Sequence, residues 1–313
     1  MSSPHTETGK FRITDAPPEN WVDRYAPDSV KPYLRLMRAD RPIGTWLLLW
    51  PCWWSAALAW GAAGRTWPDP WLMFLFAVGA IVMRGAGCVY NDIADRHYDG
   101  KVARTRTRPI PSGQVSVTAA AIFMVALCFI GLAVLLQFNH FAIALGMGSL
   151  GVVAFYPFMK RITYWPQFVL GLAFSWGALM GWAYVFGRLD APAFLLYAAA
   201  IVWTIGYDTI YAHQDKEDDA LVGLKSTALK FGPRTKPWLV LFYGGTVTLL
   251  ALAGAAAGAG WPFFTGLAIA STHLVWQITT LDIDDDANCL RRFRSNRDFG
   301  ALVFLALLAD MAV

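Results

Sequence analysis

At 313 residues, with 56% hydrophobic residues, 15 Trp, 20 Phe and only 15% charged residues, the chain is too apolar for a water-soluble globule. That composition belongs to an integral membrane protein. The formal net charge of +4 falls in clusters between apolar stretches, so it marks membrane orientation and not a nucleic-acid surface. Four cysteines, Cys52, Cys88, Cys128 and Cys289, form no CxxC pair, and three lie inside apolar runs, which argues against a disulfide framework or a zinc site.

Residues 1–30 are polar and proline-rich, lack the apolar core of a signal peptide, and predict a flexible tail. Residues 30–40, with Tyr33, Leu34, Leu36 and Met37, predict an interfacial segment that ends this 1–40 region. From residue 41 to 313 the chain reads as one membrane domain. Apolar runs occur at about 42–60, 71–92, 117–136, 139–158, 165–187, 191–212, 236–258, 261–281 and 299–313. Each approaches the roughly 20 residues that a hydrocarbon core of about 30 Å requires, and none alternates as a barrel strand does. The fold class expected is an all-α integral membrane protein, a bundle of nine transmembrane helices.

Lys and Arg concentrate at the N-terminus and in alternate loops, among them Arg96 to Arg108, Lys160 and Arg161, Lys216 to Lys236, and Arg291 to Arg297, whereas the intervening loops hold only Arg65 and Arg188. The positive-inside rule then places the N-terminus and those loops in the cytoplasm.

Two acidic clusters sit at the ends of apolar runs on that side, Asn91-Asp92-x-x-Asp95-x-x-x-Asp99 and Asp208 followed by Asp215 and Asp219. At 100° per residue Arg84, Asn91, Asp95 and Asp99 share a stripe with Asp92 beside it, and an unbroken helix would stack Asp208, Asp215 and Asp219 as well. Facing each other, the stripes would form an oxygen-rich site. Mg²⁺ suits such a site, because it takes a few carboxylates plus substrate phosphate oxygens and water. Arg104, Arg108, Lys160 and Lys225 are placed to hold the remaining oxygens of a diphosphate.

A loop charge cluster ordinarily only anchors topology. These two stand apart because they recur, with the same four-residue spacing, on one side of the membrane. Arg84 and Asp208 stand apart because a lone charge inside a bilayer costs roughly 3 kcal/mol even on the lenient insertion scale. The run Asp282 to Asp286 has neither the Asn partner nor a following basic Pro-Gly loop, and predicts a solvated helix end. For His97 and His213 a carboxylate neighbour explains as much as a proton-transfer role. Most Trp and Tyr residues fit an interfacial belt or packing.

Taken together, Asn91-Asp-x-x-Asp95-x-x-x-Asp99 with Arg104 and Arg108-Pro-Ile-Pro-Ser-Gly, Tyr156-Pro-Phe-Met-Lys160-Arg, Tyr207-Asp208-Thr-x-Tyr211-Ala-x-x-Asp215-x-x-x-Asp219 and Gly223-x-Lys225-Ser-Thr-Ala resemble the UbiA superfamily of membrane aromatic prenyltransferases. The resemblance runs from about Leu36, through Leu-Met-Arg-x-Asp-Arg-Pro-Ile-Gly, to the C-terminus, and favours the branch acting on 4-hydroxybenzoate in bacterial ubiquinone synthesis. It implies nine helices around a central cavity open to the cytoplasm and the membrane, in a bacterial inner membrane. It implies Mg²⁺ on Asn91, Asp95, Asp215 and Asp219, with Asp92 and Asp99 as further candidate ligands. Polyprenyl diphosphate would be bound by Arg104, Arg108, Lys160, Lys225 and Tyr211. Asp208 would orient or deprotonate the phenol of 4-hydroxybenzoate or accept the ring proton, Arg84 would hold the benzoate carboxylate or a phosphate oxygen, and Tyr156 is a further catalytic candidate. Lys216-Glu217 departs from the usual acidic interior of the second motif.

Rival readings are a prenyltransferase for another aromatic acceptor, a transporter with an acidic ion path, and a CDP-alcohol phosphotransferase. A transporter predicts polar groups on both membrane sides and broken helices at mid-span. The phosphotransferase needs a downstream Gly-x-x-x-Asp-x-x-x-Asp, which is missing.

Overall fold

The computed structural model describes residues 16, 19–100 and 105–313, and every described element is a helix or a turn. Two short helices come first, α1 (Trp21–Tyr25) and α2 (Lys31–Leu36), followed by α3 (Ile43–Ala62), α4 (Pro70–Asp99), α5 (Val117–Leu135) and α6 (His140–Phe155). Then come α7 (Met159–Ile162), α8 (Pro166–Phe174), α9 (Gly177–Phe186), α10 (Ala191–Ala212), α11 (Lys216–Leu221) and α12 (Thr227–Phe231). The chain ends with α13 (Thr235–Ala256), α14 (Trp261–Thr280) and α15 (Asp286–Met311). Among the described residues six segments are long and apolar enough to cross a bilayer, Pro70–Asp99, Val117–Leu135, His140–Ile162, Pro166–Phe186, Ala191–Leu221 and Thr227–Ala256. Helices α3, α14 and α15 have 20, 20 and 26 residues, and α15 begins at Asp286, well before the apolar run read at 299–313.

The helices begin where the local chemistry dictates. Asn139 accepts from Ala142 N and Asp285 from Asn288 N, each satisfying a donor that the first turn would otherwise leave open. Proline occupies the first turn of α8, α10 and α14, where its missing N–H costs nothing.

The chain divides into two units, the described residues of Met1–Pro42 with Gly85–Ala126, and Ile43–Arg84 with Leu127–Val313. In the first, Leu36, Val89, Ile110, Val115 and Ala120 form a small core, with Tyr33 edge-on to Phe123 at 5.3 Å. Residues 20–40 are tied into it: Val22 and Leu36 are buried, Trp21 Nε1 donates to Ala39 O (2.7 Å), and Arg35 pairs with Asp23 (2.6 Å). Part of the stretch predicted as a loose tail is thus folded.

In the second unit the helices meet through small residues. A Cβ on Gly177 would lie 2.2 Å from Cys52 Sγ, and one on Gly181 would lie 2.4 Å from Ala56 N, so α9 touches the backbone of α3. That is the close approach by which helices associate in lipid, where no hydrophobic force drives them together. Between α8 and α9 the expected single helix breaks. Ser175 N still finds Gly171 O (3.0 Å), while Ala178 N and Leu179 N reach back three residues to Ser175 O (2.8 Å) and Trp176 O (3.0 Å). Three-residue returns of this kind tighten the winding between the two helices. A polar chain is buried at the meeting of α10, α13, α14 and α15: Trp203 Nε1 donates to Asn296 (2.9 Å) and Tyr243 OH to Gln277 (2.9 Å).

Candidate functional site

The two acidic motifs fall in different units, and each has its own local structure. In the first unit α4 carries Asn91, Asp92, Asp95 and Asp99 without interruption. Asp92 and Asp95 are fully buried and Asp99 nearly so. Residues seven apart differ by only about 20° on a helix and residues four apart by about 40°, so Asn91, Asp95 and Asp99 spread across one face with Asp92 beside Asp99.

The Asp92 side of that face is occupied by arginine. Arg38 Nη2 donates to Asp92 Oδ1 at 2.6 Å, and Arg108 Nη1 donates both to the same oxygen (3.2 Å) and to Asp99 Oδ2 (2.9 Å). Arg38 also gives hydrogen bonds to Arg35 O (3.1 Å) and Leu36 O (3.4 Å), from a backbone in the left-handed region (φ 61°). Burial works against its charge, and Asp92 beside it overcomes that and raises its pKa above the ordinary guanidinium value. The basic loop is tied to the same helix end. Thr105 Oγ1 donates to Asp99 O (2.8 Å), and Arg108 O accepts from Ser112 N (3.0 Å) and Ser112 Oγ (2.7 Å). Arg104 lies outside the described residues.

In the second unit the Asp208, Asp215, Asp219 series does not run along one α-helix. α10 stops at Ala212, a 3₁₀ turn covers His213–Asp215, and α11 starts at Lys216. Two contacts hold this change of winding. His213 Nε2 is 2.9 Å from Thr235 Oγ1, and Lys216 pairs with Asp284 at 2.5 Å. His213 is therefore buried against a hydroxyl, not a carboxylate, and the Lys216 departure has a structural partner in the acidic run that follows α14. Asp284 is drawn below the usual carboxylate range by the Lys216 hydrogen bond and charge. Asp285 in the same run caps α15, as a solvated helix end would.

Asp208 lies within electrostatic reach of the Gln167 side chain and of Asp215. Gln167 is held in one orientation, because its Oε1 accepts from Thr227 N (3.1 Å). Thr227 in turn shares a 2.6 Å hydroxyl contact with Thr209. Reasoning from the sequence passed over Gln167 and Arg38. For Gln167 the available signal was a lone amide, just after Trp165-Pro166, entering an apolar helix.

The backbones of Lys160 and Lys225 meet, since Lys225 N donates to Lys160 O (2.8 Å). The Lys225 ammonium turns to Ile162 O (3.0 Å) and lies 5.5 Å from the centre of the Tyr164 ring. Tyr156 opens the 3₁₀ turn that ends α6, and Tyr211 packs on Phe293 at 4.4 Å. Arg84 lies in α4 against the backbone of Gly44.

Among the described residues no three His, Cys, Asp or Glu side chains gather as a ready-made metal cage. The oxygen donors come in pairs four residues apart, Asn91 with Asp95 and Asp215 with Asp219. Pairs of hard oxygen donors fit Mg²⁺, which keeps waters and takes substrate phosphate oxygens in place of a full protein cage.

Residues 48–308 match the model of the UbiA prenyltransferase family. The chain belongs to the UbiA prenyltransferase family. Similar proteins include the mitochondrial 4-hydroxybenzoate polyprenyltransferase of Homo sapiens, 50% identical over 284 residues, which are 90% of this chain and 76% of that protein. The counterpart in Caenorhabditis elegans is 48% identical over 91% of this chain and 80% of its own length. That of Aedes aegypti is 50% identical over 88% of this chain, which spans 63% of its length. Among solved structures, an apo UbiA homolog from Aeropyrum pernix has a TM-score of 0.69 at 24% identity, covering 83% of this chain and 98% of its own. A UbiA homolog from Archaeoglobus fulgidus bound to GPP and Mg²⁺ has a TM-score of 0.62 at 20% identity, covering 90% and 100%. The UbiA fold and a multi-pass membrane protein are thus established. The relatives named here are mitochondrial, which runs against the bacterial inner membrane expected from the sequence.

Proposed function

We propose that this chain transfers a polyprenyl group from polyprenyl diphosphate to the ring carbon ortho to the hydroxyl of 4-hydroxybenzoate, releasing diphosphate, in ubiquinone synthesis. The observation that carries the reading is about 50% identity, over nearly the whole chain, to proteins named for that substrate pair, together with both acidic motifs intact. Nine helices crossing the bilayer around an apolar cavity belong to the same proposal, as does an N-terminus on the side of the motif loops.

Asn91, Asp95, Asp215 and Asp219 would hold Mg²⁺. When bound, the metal neutralises charge on the diphosphate and makes it a better leaving group. Arg108, Lys160 and Lys225, with Arg104, bind diphosphate oxygens and favour departure of the allylic C–O electron pair onto the leaving group. The acceptor ring is oriented so that its ortho carbon forms the new C–C bond to the allylic carbon. Arg84 holds the benzoate carboxylate as a guanidinium fork, and Tyr156 and Tyr211 border the substrates. Asp208, with Gln167 near it, takes the ring proton and restores aromaticity. The apolar surroundings keep water from capturing the allylic centre.

The test is to incubate membranes containing the protein with Mg²⁺, labelled 4-hydroxybenzoate and a panel of polyprenyl diphosphates. A lipid-soluble labelled product that chelation abolishes and Mg²⁺ restores supports the reading. Labelled acceptor left wholly in the aqueous phase, with active membranes as a control, sinks it.

A further inference from the structure

The first acidic motif offers more carboxylates than two metal-ligating pairs require, and the structure sorts them. Asp92 and Asp99, about 20° apart on α4, both meet arginine. Two guanidinium groups converge on the single oxygen Asp92 Oδ1, at 2.6 and 3.2 Å. A divalent cation brought to that oxygen would meet two positive charges at once.

We infer that Asp92 is a positioning residue and not a metal ligand: it fixes Arg108, and with it the loop over 105–116, while anchoring the 20–40 segment through Arg38. Three independent ties converge on this function. Arg108 bridges Asp92 and Asp99 with one nitrogen, so its head group has little freedom to rotate. The loop backbone is pinned at Thr105 and again at Ser112. Arg38 adopts a left-handed backbone, disfavoured for any residue with a Cβ, in a position where its guanidinium also satisfies the carbonyls that end α2. Fixing the cation before the donor arrives removes part of the ordering cost of binding it. The inference rests on the reading of Arg108 as a diphosphate ligand.

The experiment uses the full-length protein in membranes and three readouts: KM for polyprenyl diphosphate, KM for 4-hydroxybenzoate, and the Mg²⁺ concentration giving half-maximal rate at saturating donor. Asp92→Asn is expected to raise KM for the donor about tenfold or more, the scale of one lost charge-assisted contact. It should leave the Mg²⁺ requirement and the acceptor KM near wild type. In an Arg108→Ala background the same substitution should add little to the donor KM, because the group it positions is gone. Asp92 Oδ2 has no hydrogen-bond partner among the described residues, so the metal readout is the one that decides. If Asp92→Asn shifts the Mg²⁺ requirement as far as Asp95→Asn does, Asp92 is a ligand and the inference is wrong. Additive effects of Asp92→Asn and Arg108→Ala on donor KM overturn it too.

Should Asp92→Asn fail to fold, with Arg38 buried and missing its counter-charge, Asp92→Asn/Arg38→Gln removes both charges. That pair is expected to raise donor KM as well, with Mg²⁺ dependence unchanged. An unchanged Mg²⁺ requirement in Asp95→Asn would instead overturn the metal assignment itself, and unchanged donor KM in Arg108→Ala would overturn the assignment of Arg108.

Discussion

The guanidinium of Arg84 rests on the bare backbone of Gly44: a methyl at Gly44 would lie 2.2 Å from Arg84 Nε and 2.5 Å from its Nη2. The obstacle is the far end of a flexible side chain, so Gly44→Ala should fold and displace the guanidinium instead. If Arg84 holds the acceptor carboxylate, the expected result is a rise in KM for 4-hydroxybenzoate of roughly tenfold, about 1.4 kcal/mol. In an Arg84→Ala background Gly44→Ala should be nearly silent. Equal effects in both backgrounds would mean that Gly44 acts through something other than Arg84.

Gly181 presents the opposite case, because the atom nearest its missing Cβ is backbone, Ala56 N at 2.4 Å. Gly181→Ala is expected to lower the stability of the solubilised protein by about 1–3 kcal/mol, the usual range for overpacking. Gly151, which has nothing within 4 Å of its missing Cβ, serves as the control. Thermal unfolding of both variants in one detergent is the measurement, and equal melting temperatures would contradict the packing argument.

Gln167→Glu places a second carboxylate near Asp208 in place of a neutral amide. Turnover is expected to fall by about tenfold or more, while KM for the donor changes little, since Gln167 neighbours Asp208, the proposed proton acceptor. Gln167→Ala should fall in the same direction. A fall in donor affinity with unchanged turnover would remove Asp208 from the chemistry.

The Lys216–Asp284 pair gives a prediction on the acid side. Its hydrogen bond lowers the Asp284 pKa, so its contribution is present above the ordinary carboxylate range, about 3.9, and is lost as pH falls through the lowered value. The difference in melting temperature between wild type and Lys216→Met should hold steady from pH 7 to pH 5 and shrink below about pH 4. A difference that shrinks already between pH 7 and pH 5 would point to another titrating group.

How much of this was legible beforehand depended on the range of the interaction. Helix starts at Pro70, His140, Pro166, Ala191 and Trp261 lie within one residue of the starts of apolar runs, because hydropathy marks where a span begins. The break at Ser175–Trp176 was not, because the run 165–187 is apolar throughout and hydropathy is blind to winding. The stop at Ala212 depended on Thr235 and Asp284, far along the chain from the turn they hold. The chemistry of the motif side chains was visible as residue types at helical spacing. Which carboxylate meets which arginine was not, since Arg38 and Asp92 are 54 residues apart and no local pattern links them.

The contact of Gly177 and Gly181 with the backbone of α3 also bears on motion. Two helices touching at backbone distance through staggered small residues cannot slide past each other without a methyl-sized collision, so α3 and α9 must travel as one rigid body. Any breathing that lets a long isoprenoid pass from the bilayer into the protein therefore has to be found in other helices. Probes of gating belong on α5 and α6, whose outward faces carry Phe129, Phe141 and Leu150 exposed, and not on this welded pair.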